Sequence, residues 1–282
     1  MHLTPTSSCF LAGVLFSALV SVQAAVPDAV RAAAIDLLDA SHILHSLDVV
    51  DALGHVSVRN PVNSSQFLIY AIQNATAVGL TFSPTATVPA GFSERFIHSE
   101  IYKKFPEVNA VVHAHTEAIL PFANQAKVPL VAQISTAPAV GVQVPVFNFS
   151  NLSASVLSGD TLSDFLIRNA LLGDALANKF IGGSDVVLMA NHGMAVRATS
   201  VRQAVFNAYY TMQNAKVQFQ SILLGGGQAP AALNVKEMTD CVTTATTGLA
   251  PRAWNLWTKQ VDLNPLYVNN LRNGAAASAT GY

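Results

Sequence analysis

The sequence contains few charged residues: only 11% are Asp, Glu, Lys or Arg, and the formal net charge is −1. No segment concentrates Lys and Arg, so the chain lacks the basic surface that a nucleic acid requires, and we exclude nucleic-acid binding. There is also no internal repeat and no low-complexity tract. Because 51% of the 282 residues are hydrophobic, we expect one well-filled globular core rather than disorder.

Cysteine is also scarce, and one of the two cysteines lies close to the N-terminus. An apolar stretch over residues 10–22, followed by small residues around Ala24, predicts a signal peptide over residues 1–24. The stretch is too short to span a bilayer, so no stable membrane span should remain after cleavage. Because no Lys or Arg precedes it, a buried N-terminal helix is the alternative. Cleavage would remove Cys9 and leave Cys241, which excludes an intrachain disulfide.

Four Asn-x-Ser/Thr sequons, at Asn63, Asn74, Asn148 and Asn151, are candidate sites for N-linked glycans. A cytosolic protein has no use for such sites, although each of them is weak evidence when taken singly. Together with the apolar leader they favour a secreted protein or a protein of the secretory pathway.

Apolar periodicity divides the chain into alternating helices and strands, which indicates an α/β fold. We expect an irregular loop over residues 74–92 and a helix that Ser93 caps and Pro106 ends. The main domain should cover residues 25–227, with 228–282 as an extension packed on it or on a neighbouring subunit. The predicted helices cover 27–47, 93–105, 116–124, 162–179, 200–224 and 235–245; the predicted strands cover 54–59, 67–70, 108–115 and 185–189, with two more within 129–147.

Three histidines directly follow predicted strands. His113 and His115 stand two residues apart at the end of one strand, where alternate side chains point to the same face, so both can bind one ion. His192 follows another apolar strand, and Gly193 lets the backbone turn beside it. Three neutral imidazoles with one open position are typical of catalytic zinc sites. Ordinary surface or core histidines are the alternative, and the shared position at strand ends favours the metal.

Glu94 and His98 lie one turn apart on the predicted helix over residues 93–105 and share one of its faces. Glu94 stands in the first turn, where the helix dipole favours a carboxylate even if it has no other role. His98 is placed to orient that carboxylate or a substrate oxygen. A core histidine bonded to a backbone carbonyl is the alternative for His98.

Four short motifs occur in a recognisable order. They are Gly54-His55-Val56-Ser57-Val58-Arg59, Ser93-Glu94, the pair His113-Ala114-His115 after Val111-Val112, and the turn Asn191-His192-Gly193. Together they resemble the class II aldolase/adducin family, and the resemblance covers residues 30–224. It implies a three-layer α/β/α fold with a mostly antiparallel central sheet. It also implies a fourfold cyclic homotetramer with its sites between subunits.

The same resemblance implies a role for each matching residue. His113, His115 and His192 would bind zinc or another divalent ion, such as manganese or iron. Glu94 would be the catalytic acid/base, with His98 assisting the protonation.

The resemblance also implies where a substrate binds. His55, Arg59 and Ser93 are the implied substrate-binding residues, and Arg59 would pair with a carboxylate or a phosphate. An ordinary surface arginine is the alternative for Arg59.

The sequence departs from the sugar-phosphate aldolases of this family. Those enzymes have an asparagine where this chain has His55, and a Thr/Gly-rich phosphate-binding turn that is not found over residues 70–79. They also use a tyrosine after the histidine pair, whereas no tyrosine occurs here between Tyr102 and Tyr209.

The chain looks more like the branch that decarboxylates hydroxy acids. We therefore expect a metal-dependent carbon–carbon lyase, a decarboxylase or an aldolase, acting on a small hydroxy or keto acid. A sugar-phosphate aldolase and a non-catalytic interaction module like the adducin heads are the alternatives.

Overall fold

The computed structural model describes residues 26–71, 80–82, 93–125 and 127–272, so the predicted leader and the sequon at Asn74 lie outside it. Within this part, no helix is both long enough and apolar enough to cross a membrane. The helices are α1 (Asp28–Ser46), α2 (Arg95–Lys104), α3 (Leu120–Asn124), α4 (Ala154–Leu157), α5 (Ala170–Ala177), α6 (Val201–Leu224), α7 (Val235–Thr244) and α8 (Ala250–Asp262); the strands are β1 (His55–Arg59), β2 (Phe67–Ala71), β3 (Leu80–Phe82), β4 (Ala110–Ala114), β5 (Val146–Phe147), β6 (Val186–Met189) and β7 (Gly193–Ala198).

The described strands form one sheet in the order β3-β2-β1-β4-β7-β6-β5. Neighbouring strands are antiparallel except β5 and β6, which are parallel, so the sheet is mixed but mostly antiparallel, as predicted. In the register of the sheet, His55 pairs with His113, and His113 pairs with Ala195. This pairing places the start of β1 and the end of β4 side by side.

Helices cover both faces of the sheet. Because successive side chains of a strand point to opposite faces, neighbouring residues of β4 enter two separate cores. Val112 and Val196 belong to the core shared with α1, α6 and α8. Val111 and Ala195 belong to the core shared with α2 and α5. These three α/β/α layers confirm the predicted fold class.

The 24-residue helix α6 begins as predicted, because the Ser200 hydroxyl accepts a hydrogen bond from the Gln203 amide at 3.2 Å. The C-terminal helix α8 packs on α1 and α6. It was not predicted, although its buried residues Trp254, Trp257 and Val261 recur at helical spacing. The chain after α6 therefore adds to the main core within the same molecule.

The predicted helix over residues 162–179 is wrong in its first half. Helix α5 begins at Ala170, and Phe165 before it has a left-handed backbone with φ of 66°. A bulky residue in this conformation cannot continue a helix. The Ile167 amide, which would bond within a helix, donates to the Glu94 carboxylate at 3.0 Å instead. The contact with Glu94 thus overrides the local periodicity.

Two further segments differ from the prediction. Leu80–Phe82, inside the loop predicted over 74–92, is a strand because it pairs with β2. Of the two short strands predicted within 129–147, only β5 forms in the described residues. The start of that segment is held instead by Asn214 and Gln218 of α6, whose side-chain amides bond to its backbone.

Candidate metal centre

Four side chains converge where β4 ends, β7 begins and α2 begins. They are Glu94, His113, His115 and His192, and one ligand atom from each lies within 4.8 Å of all the others. His113 is fully buried, Glu94 is 7% exposed, and His115 and His192 are half-buried residues. The structure therefore brings together the three histidines and the glutamate that the sequence singled out. A group of this composition can hold a divalent metal ion.

In two rings of this cluster, the Nδ1 atom is hydrogen-bonded to a group outside the cluster. The Nδ1–H of His113 donates to the Met194 carbonyl at 3.0 Å, and the Nδ1–H of His115 donates to Asp51 Oδ1 at 3.1 Å. We assign these tautomers from the acceptors, because a carbonyl or a carboxylate requires a donor. Burial lowers the pKa of His113 in spite of the nearby Glu94 carboxylate, so its ring is neutral. Each ring then offers an Nε2 lone pair, and the two Nε2 atoms lie 2.9 Å apart.

His192 supplies a further argument that the cluster fits a metal. Within the described residues, neither of its ring nitrogens has a hydrogen-bond partner, although both are buried. Its Nε2 lies 3.5 Å from Glu94 Oε1. Asn191 sets the turn with a left-handed backbone, φ of 58°, and its amide donates to Asn124 Oδ1 at 2.7 Å. A cation bound beside the carboxylate would give the orphaned Nε2 atom of His192 a partner.

Glu94 stands at the N-cap position of α2, where its side chain makes no capping bond. The prediction that Ser93 caps this helix is therefore wrong: α2 begins at Arg95, and the Glu94 carboxylate points to the histidines. Burial raises the pKa of Glu94, but His113 and His192 outweigh it and hold that pKa well below its usual range. The carboxylate is thus ionised, with its Oε2 3.4 Å from His113 Nε2.

Two more histidines adjoin Glu94. His55 Nε2 lies 4.0 Å from Glu94 Oε2, and His55 Nδ1 shares a hydrogen bond of 2.7 Å with His98 Nε2. Burial, with His113 adding to it and Glu94 opposing it, lowers the pKa of His98 to about 3. Burial and the neighbouring rings of His98 and His113 also hold the pKa of His55 well below its ordinary value. Both rings are neutral at pH 7, and His98 reaches the carboxylate through His55.

The structure does not bring Arg59 to this cluster. Arg59 lies at the other end of β1 from His55, about 13 Å away along the strand. Its guanidinium donates to four backbone carbonyls, those of Ser64, Tyr102, Phe105 and Val108. In this chain Arg59 fastens β1 to the end of α2, and an anionic substrate would have to displace those bonds. Ser93 is exposed in the turn before α2.

Two groups at the site were missed by sequence reasoning. Asp51 binds His115 and also accepts from the amides of Leu53 and Gly54 at 3.0 and 2.8 Å. Nothing in its spacing from the histidines distinguishes it from other loop carboxylates. The Ile167 amide that holds Glu94 is a backbone group, for which the sequence carries no signal at all.

Three of the four sequons lie in the described part of the chain. Asn63 and Asn151 are exposed, and Asn148 is half-buried with its side chain accepting from the Ser150 amide at 2.9 Å. Asn63 Oδ1 accepts from both the amide and the hydroxyl of Ser65, at 3.1 and 2.7 Å. Asn63 thus combines exposure with a turn that its own sequon serine closes.

The family model described as Class II Aldolase and Adducin N-terminal domain matches residues 35–219. The chain belongs to this family, as the sequence motifs predicted, and it is an enzyme of the lyase class. It is 35% identical to the decarboxylase tropJ of Talaromyces stipitatus over an alignment of 257 residues, and the match covers 81% of this chain and 93% of that protein. It is 28% identical to a 3,4-dihydroxyphthalate decarboxylase of Arthrobacter keyseri over 193 residues, 62% of this chain and 72% of that protein. The likeness to decarboxylases is therefore confirmed.

Solved structures share the fold at low sequence identity. An aldolase II superfamily protein of Pseudomonas syringae matches with a TM-score of 0.63 and 16% identity, over 86% of this chain and 96% of that one. An L-fuculose 1-phosphate aldolase of Glaciozyma antarctica matches with a TM-score of 0.56 and 19% identity, over 85% and 93%. At this identity the match shows the fold and not the substrate.

Proposed function

We propose that the chain is a divalent-metal-dependent decarboxylase of a small hydroxy or keto acid. The observation that carries the proposal is the convergence of Glu94, His113, His115 and His192 within 4.8 Å. The likeness to two decarboxylases supports cleavage of a carbon–carbon bond with loss of carbon dioxide. Aromatic hydroxy acids are the substrate class that we favour, because one of these relatives is a dihydroxyphthalate decarboxylase.

The Nε2 atoms of the three histidines are the ligands that we assign, which leaves an open position beside the Glu94 carboxylate for the substrate. When bound, a divalent ion supplies positive charge that holds substrate oxygens and stabilises the negative charge left as carbon dioxide departs. Zinc is the ion that we propose, since imidazole ligands suit it, and manganese and iron accept the same ligands. Asp51 and the Met194 carbonyl keep two of the rings in the ligating tautomer.

The ionised Glu94 is placed to move a proton. Its carboxylate, fixed by the Ile167 amide at Oε1, can accept the proton of a substrate hydroxyl and return it to the carbon that carbon dioxide leaves. The substrate oxygen then regains a proton from solvent as the product departs. The His55–His98 pair lies next to Oε2 and can hold the carboxylate in place during this exchange.

The experiment that tests this function follows two products. The purified chain, loaded in turn with zinc, manganese and iron, is incubated with aromatic hydroxy acids and with aldol adducts. We expect carbon dioxide from at least one acid, with turnover lost on chelation and restored by the metal. Release of an aldehyde without carbon dioxide would identify an aldolase instead. An absence of turnover with every metal and substrate would reject the proposed function.

We also propose that the protein enters the secretory pathway and carries a glycan at Asn63. The apolar leader and the exposed sequon support this proposal. Expression in a eukaryotic host tests it, by measuring the mass of secreted protein before and after glycosidase treatment. The mass should fall for the parent chain, and Asn63→Gln should lower the mass before treatment. Retention of the unprocessed chain inside the cell would contradict the proposal.

A homo-oligomer is the assembly that we propose, a tetramer by resemblance to the family. Large apolar side chains such as Leu224 and Leu263 are 91% and 85% exposed in the single chain, and burial between subunits would remove them from water. Light scattering should give a mass of several chains. A mass of 29.7 kDa, that of one chain, would contradict the assembly.

A further inference from the structure

A buried row of hydrogen bonds leads away from the metal centre. It begins at the His55–His98 bond of 2.7 Å and continues from His98 Nδ1 to the Ser57 hydroxyl at 2.6 Å. The Ser57 hydroxyl also bonds to the Tyr102 hydroxyl at 2.8 Å. All four side chains are buried, and Ser57 and His98 are completely so. The row joins β1 to α2 through side chains alone.

The donors and acceptors available along the row decide in which direction its hydrogen bonds run. Burial raises the pKa of Tyr102, so its hydroxyl keeps its proton. Ser57 and the Val111 backbone amide both bond to that hydroxyl, and because the amide is itself a donor, Ser57 must accept the Tyr102 proton. The Ser57 proton is therefore free to be donated to His98 Nδ1.

The direction continues through the two rings. A neutral His98 that accepts at Nδ1 carries its proton on Nε2 and donates it to His55 Nδ1. A neutral His55 that accepts at Nδ1 carries its own proton on Nε2. That proton faces Glu94 Oε2, 4.0 Å away.

If every hydrogen bond of the row ran in the opposite direction, the arrangement would be unfavourable at both of its ends. The Tyr102 hydroxyl proton would lose its acceptor in a buried place, and an unsatisfied buried donor is destabilising. The lone pair of His55 Nε2 would also face the ionised Glu94 carboxylate and repel it. Hydrogen bonding at one end and charge at the other end thus favour the same arrangement.

We propose that Ser57 and Tyr102 are positioning residues, which fix the tautomers of His98 and His55 so that His55 presents an N–H to the Glu94 carboxylate. The consequence for catalysis rests on the proposed function of Glu94 in proton transfer. In the described residues neither side chain hydrogen-bonds to the metal cluster, and each acts through the rings that it orients.

The tautomers can be read without any activity measurement. In the zinc-loaded full chain, labelled with ¹⁵N at histidine, long-range ¹H–¹⁵N spectra distinguish a proton on Nδ1 from one on Nε2. We expect His55 and His98 to be protonated on Nε2 in the wild type, and Ser57→Ala to introduce the Nδ1–H form of His98. An Nδ1–H form of either ring in the wild type would overturn the proposal. Ring signals that Ser57→Ala leaves unchanged would also overturn it.

Two matched controls separate positioning from general loss of packing. Ser41→Ala removes a buried hydroxyl that has no hydrogen-bond partner in the described residues. Tyr267→Phe removes a tyrosine hydroxyl that bonds to a histidine elsewhere, His45 Nδ1 at 2.6 Å. Neither control should change the signals of His55 and His98. If Ser57→Ala does not fold, Tyr102→Phe must shift these signals, and an unshifted spectrum rejects the proposal.

Kinetics give the second readout. We expect Ser57→Ala to lower kcat by about 10- to 100-fold with KM unchanged, as for other partners that orient a catalytic group. Ser41→Ala should keep the wild-type kcat. An unchanged kcat in a folded Ser57→Ala protein would overturn the positioning role. A wild type with the expected tautomers but no turnover of any acid would reject the proposed function, while a tautomer change in Ser57→Ala would still support the assignment of Ser57.

Discussion

The Nε2 atoms of His113 and His115 face each other at 2.9 Å, while the Nδ1 atom of each ring donates to another part of the protein. Two neutral imidazoles in these tautomers point lone pairs at each other, an arrangement that is repulsive unless a proton or a cation lies between them. With His192 Nε2 and the Glu94 carboxylate close by, a divalent cation at this place would remove that repulsion and would also give His192 Nε2 a partner.

The role of Asp51 can be tested by weakening one hydrogen bond. Asp51→Asn keeps a neutral acceptor for the turn but removes the charge that holds His115 Nδ1–H. We expect the affinity for zinc to fall by about 10- to 100-fold, the usual effect of removing such an outer partner. Calorimetric titration of the metal-free protein measures it. Asp164→Asn, on an exposed pair with Arg168, is the control and should bind zinc like the wild type.

Glu94→Gln tests the proton-transfer group. The variant keeps an oxygen for the Ile167 amide but removes the ionised carboxylate, so we expect kcat to fall by about 100- to 10,000-fold. The control is Glu100→Gln on the same helix, a buried carboxylate paired with Lys103. Turnover measured on the same metal-loaded samples should be retained in the control. Equal turnover in Glu94→Gln and the wild type would show that the mechanism is wrong.

Substitution of Gly193 tests how tightly β7 packs against the end of β4 at the site. A Cβ at this position would lie 2.2 Å from the Ala114 carbonyl oxygen and 3.2 Å from His115 Cδ2. We expect Gly193→Ala to lower the free energy of unfolding by about 1–3 kcal/mol, the range for overpacking a filled core. Gly248 has open space around its Cβ position, so Gly248→Ala should raise it by about 0.4–1 kcal/mol. Urea unfolding compares the two, and equal midpoints would contradict this account.

The sequence singled out the four residues that converge in the structure because its signals are local. His113 and His115 follow the two-residue period of a strand, and Glu94 and His98 follow the period of a helix, so each pair could be placed on one face without a structure. The sequence also lacks the catalytic tyrosine and the phosphate-binding turn of the sugar-phosphate aldolases. Both differences favoured a decarboxylase.

Other features depend on contacts between distant segments, which no local pattern contains. Asp51 and the Ile167 amide reach the site only when the chain is folded. Because the Ile167 amide bonds to Glu94, the segment before Ala170 is not the helix that was predicted there. Arg59 is the opposite case, a residue expected at the site that lies away from it. Its guanidinium donates to backbone carbonyls at the other end of β1 from His55. Periodicity cannot report which partners a side chain meets in three dimensions.

We propose that the metal on which turnover depends is held at the four-residue cluster, so the amount of metal bound per chain is the decisive measurement. Wild-type protein and His113→Ala are loaded with zinc, desalted and analysed by elemental mass spectrometry, with His45→Ala as a control on α1. We expect about one ion per chain in the wild type and in His45→Ala, and a loss of most of it in His113→Ala. A wild type that retains no zinc, manganese or iron after loading, or a His113→Ala protein that retains as much as the wild type, would contradict it.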